Sequence, residues 1–135
     1  MKRILIILFV LGSCITCACA QGVIYTCNST GAWGNGFNER GEPVTMKECD
    51  DVALESCKTN HGKNCKLFYK STKGGWWGFI ASVDIHGKLY FEVSDGNVTQ
   101  AAAERSVRKK YKDHGGPFPE NTEVKSWYVY SNLKK

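Results

Sequence analysis

The side chains in this sequence able to do chemistry are seven cysteines, three histidines, the acidic pair Asp50-Asp51 with other carboxylates, and four tryptophans, and their spacing decides how far each reading goes. Among the last four cysteines, Cys27, Cys49, Cys57 and Cys65, no C-x-x-C or C-x-x-C…H spacing occurs. A zinc site drawing on His61 is therefore not indicated, and no metal is expected. His61, His86 and His114 each precede a glycine, the pattern of turn and cap residues. Asp84-Ile85-His86 offers an acid and a base on one hairpin, but the same residues make a polar turn. Asp50-Asp51 falls in the first turns of a helix, where carboxylates complement the macrodipole. The chain carries no G-x-S-x-G, H-E-x-x-H or phosphate-cradling glycine loop. The expectation is a protein without chemistry of its own and without a cofactor.

The N-terminus points to a compartment. Met1, Lys2 and Arg3 precede the apolar run Ile4 to Leu11 and a small-residue exit, the layout of a secretory signal and too short for a membrane span. Ala18-Cys19-Ala20 before Gln21 has the form cut by ordinary signal peptidase. Leu11-Gly12-Ser13-Cys14 resembles a lipobox, which would leave a diacylated Cys14 and an outer-membrane lipoprotein. Cleavage after Ala20 removes Cys14, Cys17 and Cys19 together and leaves an even set of four cysteines, so residues 1–20 read as signal peptide and 21–135 as one small domain. The expected location is the periplasm or the exterior. The formal net charge of +5 includes Lys2 and Arg3, and what remains is no footprint for nucleic acid.

The elements that must position these residues follow in order. Val23 to Cys27 is strand-like, Asn28 to Thr30 is a polar turn, and Ala32 to Phe37 alternates around glycines, giving a hairpin approached closely by another backbone. Glu39 to Val44 is loop. Thr45-Met46-Lys47-Glu48 fits a capping box opening a helix with Met46, Cys49, Ala53 and Cys57 on one face, stopped at Asn60-His61-Gly62. Cys65 to Lys70 is a strand, and Trp76 to Val83 with Lys88 to Val93 forms a second hairpin. A second helix, capped by Asn97 or Thr99, turns Ala102, Ala103, Val107 and Tyr111 inward and Arg105, Arg108, Lys109 and Lys112 outward. Gly115, Gly116, Pro117 and Pro119 form a loop before the last strand, Val124 to Tyr130. Hairpin, helix and strand thus occur twice, with Ala53 to Lys58 lying over Ala103 to Arg108 and Lys66 to Tyr69 over Lys125 to Tyr130. The predicted fold is α+β: an antiparallel sheet of about six strands with two helices on one face, disulfide-stapled.

In an exported domain four cysteines imply two bridges. Cys49 and Cys57 lie eight residues apart on one helix, about 12 Å, beyond disulfide reach. Cys57 is left with Cys65 or Cys27. The short connection favours Cys57–Cys65, with Cys27–Cys49 as the second bridge, each contributing about 2–4 kcal/mol.

The strand Val23-Ile24-Tyr25, the run Ser29-Thr30-Gly31-Ala32-Trp33-Gly34, a helix ending in Cys57, Cys65 opening a strand, and Ala101, Ala102, Ala103 and Glu104 in a second unit resemble the bacterial domain-of-unknown-function family forty-one eighty-nine. The resemblance covers nearly all of Gly22 to Tyr130. It implies export and a compact cysteine-stapled domain, and brings no established activity. The chain departs from the pattern in its alanine-poor first helix, in Cys27 and Cys49, and in Val107 where a residue like Cys57 is expected.

Four tryptophans are a heavy load for a domain this small. Adjacent Trp76 and Trp77 point to opposite faces of a strand, so one of them is a candidate partner contact, together with the basic face of Arg105, Arg108, Lys109 and Lys112. The functional expectation is an exported, non-enzymatic binding protein of the bacterial envelope or exterior, in its most concrete form an inhibitor or immunity-type antagonist of a toxin or hydrolase. The partner is a protein or an envelope polymer. The alternatives are a small cell-wall-acting enzyme using Asp84 and His86, and a lipid-anchored structural component.

Overall fold

The computed structural model describes residues 21–38 and 44–130. The signal segment and both cleavage sites lie outside the described residues. Among the described residues there are six strands and two helices: β1 (Gly22–Thr26), β2 (Trp33–Phe37), α1 (Met46–Thr59), β3 (Lys66–Ser71), β4 (Gly75–Val83), β5 (Leu89–Asn97), α2 (Gln100–Asp113) and β6 (Lys125–Val129).

The strands form two antiparallel three-stranded sheets, ordered β2-β1-β3 and β5-β4-β6, rather than the single sheet expected from the element order. The reason lies in the strand sequences. Along β1 the side chains Val23, Ile24 and Tyr25 are apolar on both faces: Val23 and Tyr25 pack with Cys49 and Ala53 of α1, whereas Ile24 joins Trp77, Phe79, Val93 and Val129 of the other sheet. On β4, Trp77 and Phe79 face the first sheet and Ile80 meets Val107 and Tyr111 of α2. A strand with two apolar faces needs cover on both. The sheets therefore stack face to face, and each helix covers an outer face, so the helices lie on opposite sides of the domain and not on one face.

The space between the sheets is filled by aromatic rings. Trp33 contacts Phe79 at 4.9 Å between centroids, Phe37 contacts Trp77 and Trp127 at 5.0 Å each, and Tyr69 contacts Trp77 at 5.6 Å. In β3 a bulge skips Phe68 between the pairs Ile24↔Tyr69 and Tyr25↔Leu67, and Phe68 also reaches Phe79 and Phe91. Tilted and edge-on pairs of this kind contribute about 0.5–1.5 kcal/mol each beyond area burial.

The tandem organisation is present in both halves, since the third strand of each pairs with the first of its own hairpin. Thr45 caps α1 with a complete capping box, and Thr99 caps α2 by accepting the Ala102 N–H. Counted from these caps, the buried residues Cys49, Ala53 and Cys57 of α1 correspond to Ala103, Val107 and Tyr111 of α2. The helices therefore align one turn away from the Ala53-over-Ala103 match, and the counterpart of Cys57 is Tyr111, not Val107.

Candidate functional site

The Gly31-Ala32-Trp33-Gly34 motif is taken up by the fold. Gly31 (φ 79°) closes the β1–β2 turn, its N–H donating to the Cys27 carbonyl at 2.8 Å, and Ala32 is buried beside Cys27 and Cys57. Trp33 lies between the sheets. Gly34 and Gly36 seat α1: a Cβ on either would fall onto the helix backbone, at Ala53 and Cys57 for the first and at Cys49 for the second. This is the close backbone approach expected from the sequence.

Cys57 and Cys65 are joined, tying the end of α1 to the start of β3. Cys27 and Cys49 are not joined; both are buried free thiols. The expected second bridge fails because β1 runs antiparallel to α1, which puts Cys27 at the helix end with Cys57 and Cys49 two turns away beside Gln21 and Val23. The two thiols differ in character. Hydrogen bonds from the Ser29 and Thr30 hydroxyls and the Asn64 backbone lower the Cys27 pKa to about 5, against the opposing effect of burial. Burial, aided by Glu48, pushes Cys49 up to about 11.

Asp84 closes the β4–β5 turn. Its Oδ1 accepts the backbone N–H groups of His86 and Lys88, each at 2.8 Å, and these hold its carboxyl below the ordinary range, Lys88 contributing most. The carboxylate that an acid–base reading requires is thus engaged in a turn. Among the described residues, no group of three or more His, Cys, Asp or Glu side chains is arranged to hold a metal, and no helix is long and apolar enough to cross a membrane.

Of the adjacent tryptophans, Trp77 is wholly buried, donating its Nε1–H to the Lys73 carbonyl at 3.0 Å, and only Trp76 keeps accessible surface. Trp76 faces outward on the α2 side of its sheet and begins an aromatic ladder: Trp76 to Tyr128 at 5.6 Å, Tyr128 to Tyr130 at 4.8 Å. Both tyrosines are exposed. The ladder lies at the N-terminal end of α2, where Gln100 donates to Ser126 Oγ of the same strand as Tyr128.

The basic residues divide. Arg108 donates from Nη1 to the carbonyls of Pro119 (2.8 Å) and Thr122 (2.7 Å), fixing the loop after α2, and Lys109 pairs with Asp113 at 2.8 Å. Together with Arg105, Lys112, Pro119 and Glu120 they line an open depression of about 280 Å³. Next to Pro119 stands Phe118, 73% exposed and at φ 52°, a left-handed conformation rare for an aromatic residue. It is held there because its carbonyl accepts from the Thr122 hydroxyl (2.8 Å) and the Asn121 N–H (3.0 Å). Phe118, Tyr128 and Tyr130 were not singled out by spacing; the signal for Phe118 was its place between Pro117 and Pro119.

Neither a family model, nor a curated protein, nor a solved structure matches this chain.

Proposed function

We propose that this protein is an exported binding protein that recognises an acidic partner through the α2 side of its second half. The observation that carries the reading is Phe118, an exposed aromatic in a strained backbone conformation, next in the chain to Pro119, which lines a depression with Arg105, Arg108, Lys109, Lys112 and Glu120. Strain retained at a surface residue that adds nothing to the core is a mark of function. An exposed aromatic beside a predominantly basic depression suits a partner with an apolar group next to carboxylates or phosphates. The Trp76–Tyr128–Tyr130 ladder lies on the same side of the sheet, at the other end of α2. The concrete form we favour is an antagonist of an envelope-targeting toxin or hydrolase, a reading that rests on size, export and stapling. The likeness to family forty-one eighty-nine belongs to the same proposal and rests on the sequence motifs alone.

The test is affinity capture from an envelope extract of the native host at low and high salt, using wild type, Phe118→Ala, the triple reversal Arg105→Glu/Lys109→Glu/Lys112→Glu, and Asp84→Ala/His86→Ala. Capture of one stoichiometric partner, weakened at high salt and at least tenfold by the first two variants but not the third, supports the reading. Capture indifferent to those changes contradicts it. A hydrolytic activity abolished by Asp84→Ala/His86→Ala would establish the enzyme alternative.

A further inference from the structure

Gln21, immediately before β1, is 4% exposed. Its backbone is docked, the carbonyl accepting the Asn38 N–H at 3.1 Å with the Cys49 thiol at 4.0 Å. Its side-chain Oε1 is buried and has no hydrogen-bond partner, the only buried side-chain oxygen or nitrogen so placed among the described residues. An unpaired buried amide is unfavourable, and such groups are rare enough to need a reason.

The sequence places this same residue directly after Ala18-Cys19-Ala20. Cleavage there makes the buried Gln21 the new N-terminus and adds an α-ammonium, a charge that burial disfavours strongly.

We propose that Gln21 is a modification site and that the mature chain begins with pyroglutamate. The step is an intramolecular transamidation. The unprotonated α-amine of Gln21 attacks its own side-chain carbonyl carbon Cδ, a C–N bond forms, the Cδ–Nε2 bond breaks, and the amide nitrogen leaves as ammonia. No oxidant or co-reactant is needed. The lactam is neutral, has lost the side-chain NH2 group as ammonia, and holds the side-chain carbonyl against the main chain. The terminal charge is removed where β1 must stay paired between β2 and β3.

The inference rests on cleavage after Ala20 and is independent of the binding reading. It is tested by intact mass and N-terminal peptide mapping of the protein exported by its native host, alongside Gln21→Ala. The expected result is a wild-type N-terminal peptide starting at residue 21, lighter than its unmodified mass by one ammonia and closed to stepwise degradation and amine-directed labelling, with Gln21→Ala open to both. A chain starting at Gln21 with a free amine overturns the cyclisation. A chain starting elsewhere, a diacylated Cys14 included, overturns the inference together with the cleavage on which it rests.

Discussion

The two halves of this domain are built to one plan and closed by different locks. In the first, the helix end is fixed to the third strand covalently by Cys57–Cys65. In the second, the equivalent residue is Tyr111, whose hydroxyl donates to the Pro117 carbonyl (2.9 Å) and accepts from Ser82 (2.8 Å), with Thr122 at 3.4 Å. The turns after both helices match residue by residue: Gly62 N–H donates to the Cys57 carbonyl at 3.0 Å, and Gly116 N–H to the Tyr111 carbonyl at 2.8 Å. A Cβ at Gly62 would meet the disulfide sulfurs, and one at Gly116 the Tyr111 ring. The same glycine thus admits a bridge in one half and a phenol in the other. Closing a helix against its sheet requires a partner at that position, not a particular chemistry. A hydrogen-bonded lock also leaves a longer loop, and that loop carries Phe118.

The largest expected effect comes from the seat of α1. Gly36→Ala drives a methyl onto the Cys49 carbonyl, backbone that cannot rotate away, and should cost about 3–5 kcal/mol in denaturant unfolding. Gly87→Ala, at φ 85° with nothing near its Cβ, reports the backbone cost alone, which Gly36 does not carry. Next is the second lock. Tyr111→Ala removes a buried ring and should cost about 3–4 kcal/mol, whereas Tyr111→Phe, which loses only the hydroxyl, should cost about 1 kcal/mol. Reduction of Cys57–Cys65, or Cys57→Ala with Cys65→Ala, should cost about 2–4 kcal/mol and should add to Tyr111→Phe, since the locks share no partner. Coupling between the two would break the comparison.

A pH effect, read as a sign and not ranked by size with those above, distinguishes the two free thiols within the first half. The Cys27 pKa is lowered to about 5, so the folded chain binds fewer protons than the unfolded chain between there and the ordinary thiol value of 9.0, and stability should rise with pH across that window. Cys49, raised to about 11, stays protonated when folded above 9.0, so its contribution should fall there. Chemical unfolding of Cys27→Ser and Cys49→Ser across pH should abolish the rise and the fall respectively.

What was legible in the sequence was local. The caps at Thr45 and Thr99, the helix faces and the glycine turns depend on residues a few positions apart, and the structure contains them. The layering was not read, although Val23-Ile24-Tyr25 and Trp76-Trp77-Gly78-Phe79-Ile80 carry its sign, apolar side chains on both faces of a strand. The Cys27–Cys49 pairing failed because it depends on the direction of β1 against α1, which spacing alone does not encode. Trp76, Trp77 and the basic face of the second helix were singled out from composition and periodicity, and of the two tryptophans only Trp76 keeps accessible surface. Phe118 was not singled out, because what sets it apart is a backbone angle fixed by Thr122 and Asn121.

Native-state hydrogen exchange, read at the helix ends with and without reductant and in Tyr111→Phe, tests most directly whether the halves are one unit with two locks. Reduction should speed exchange at Gly62 and along the α1–β3 junction while leaving Gly116 unchanged, and Tyr111→Phe should do the reverse. Equal acceleration at both junctions under either change would contradict the account.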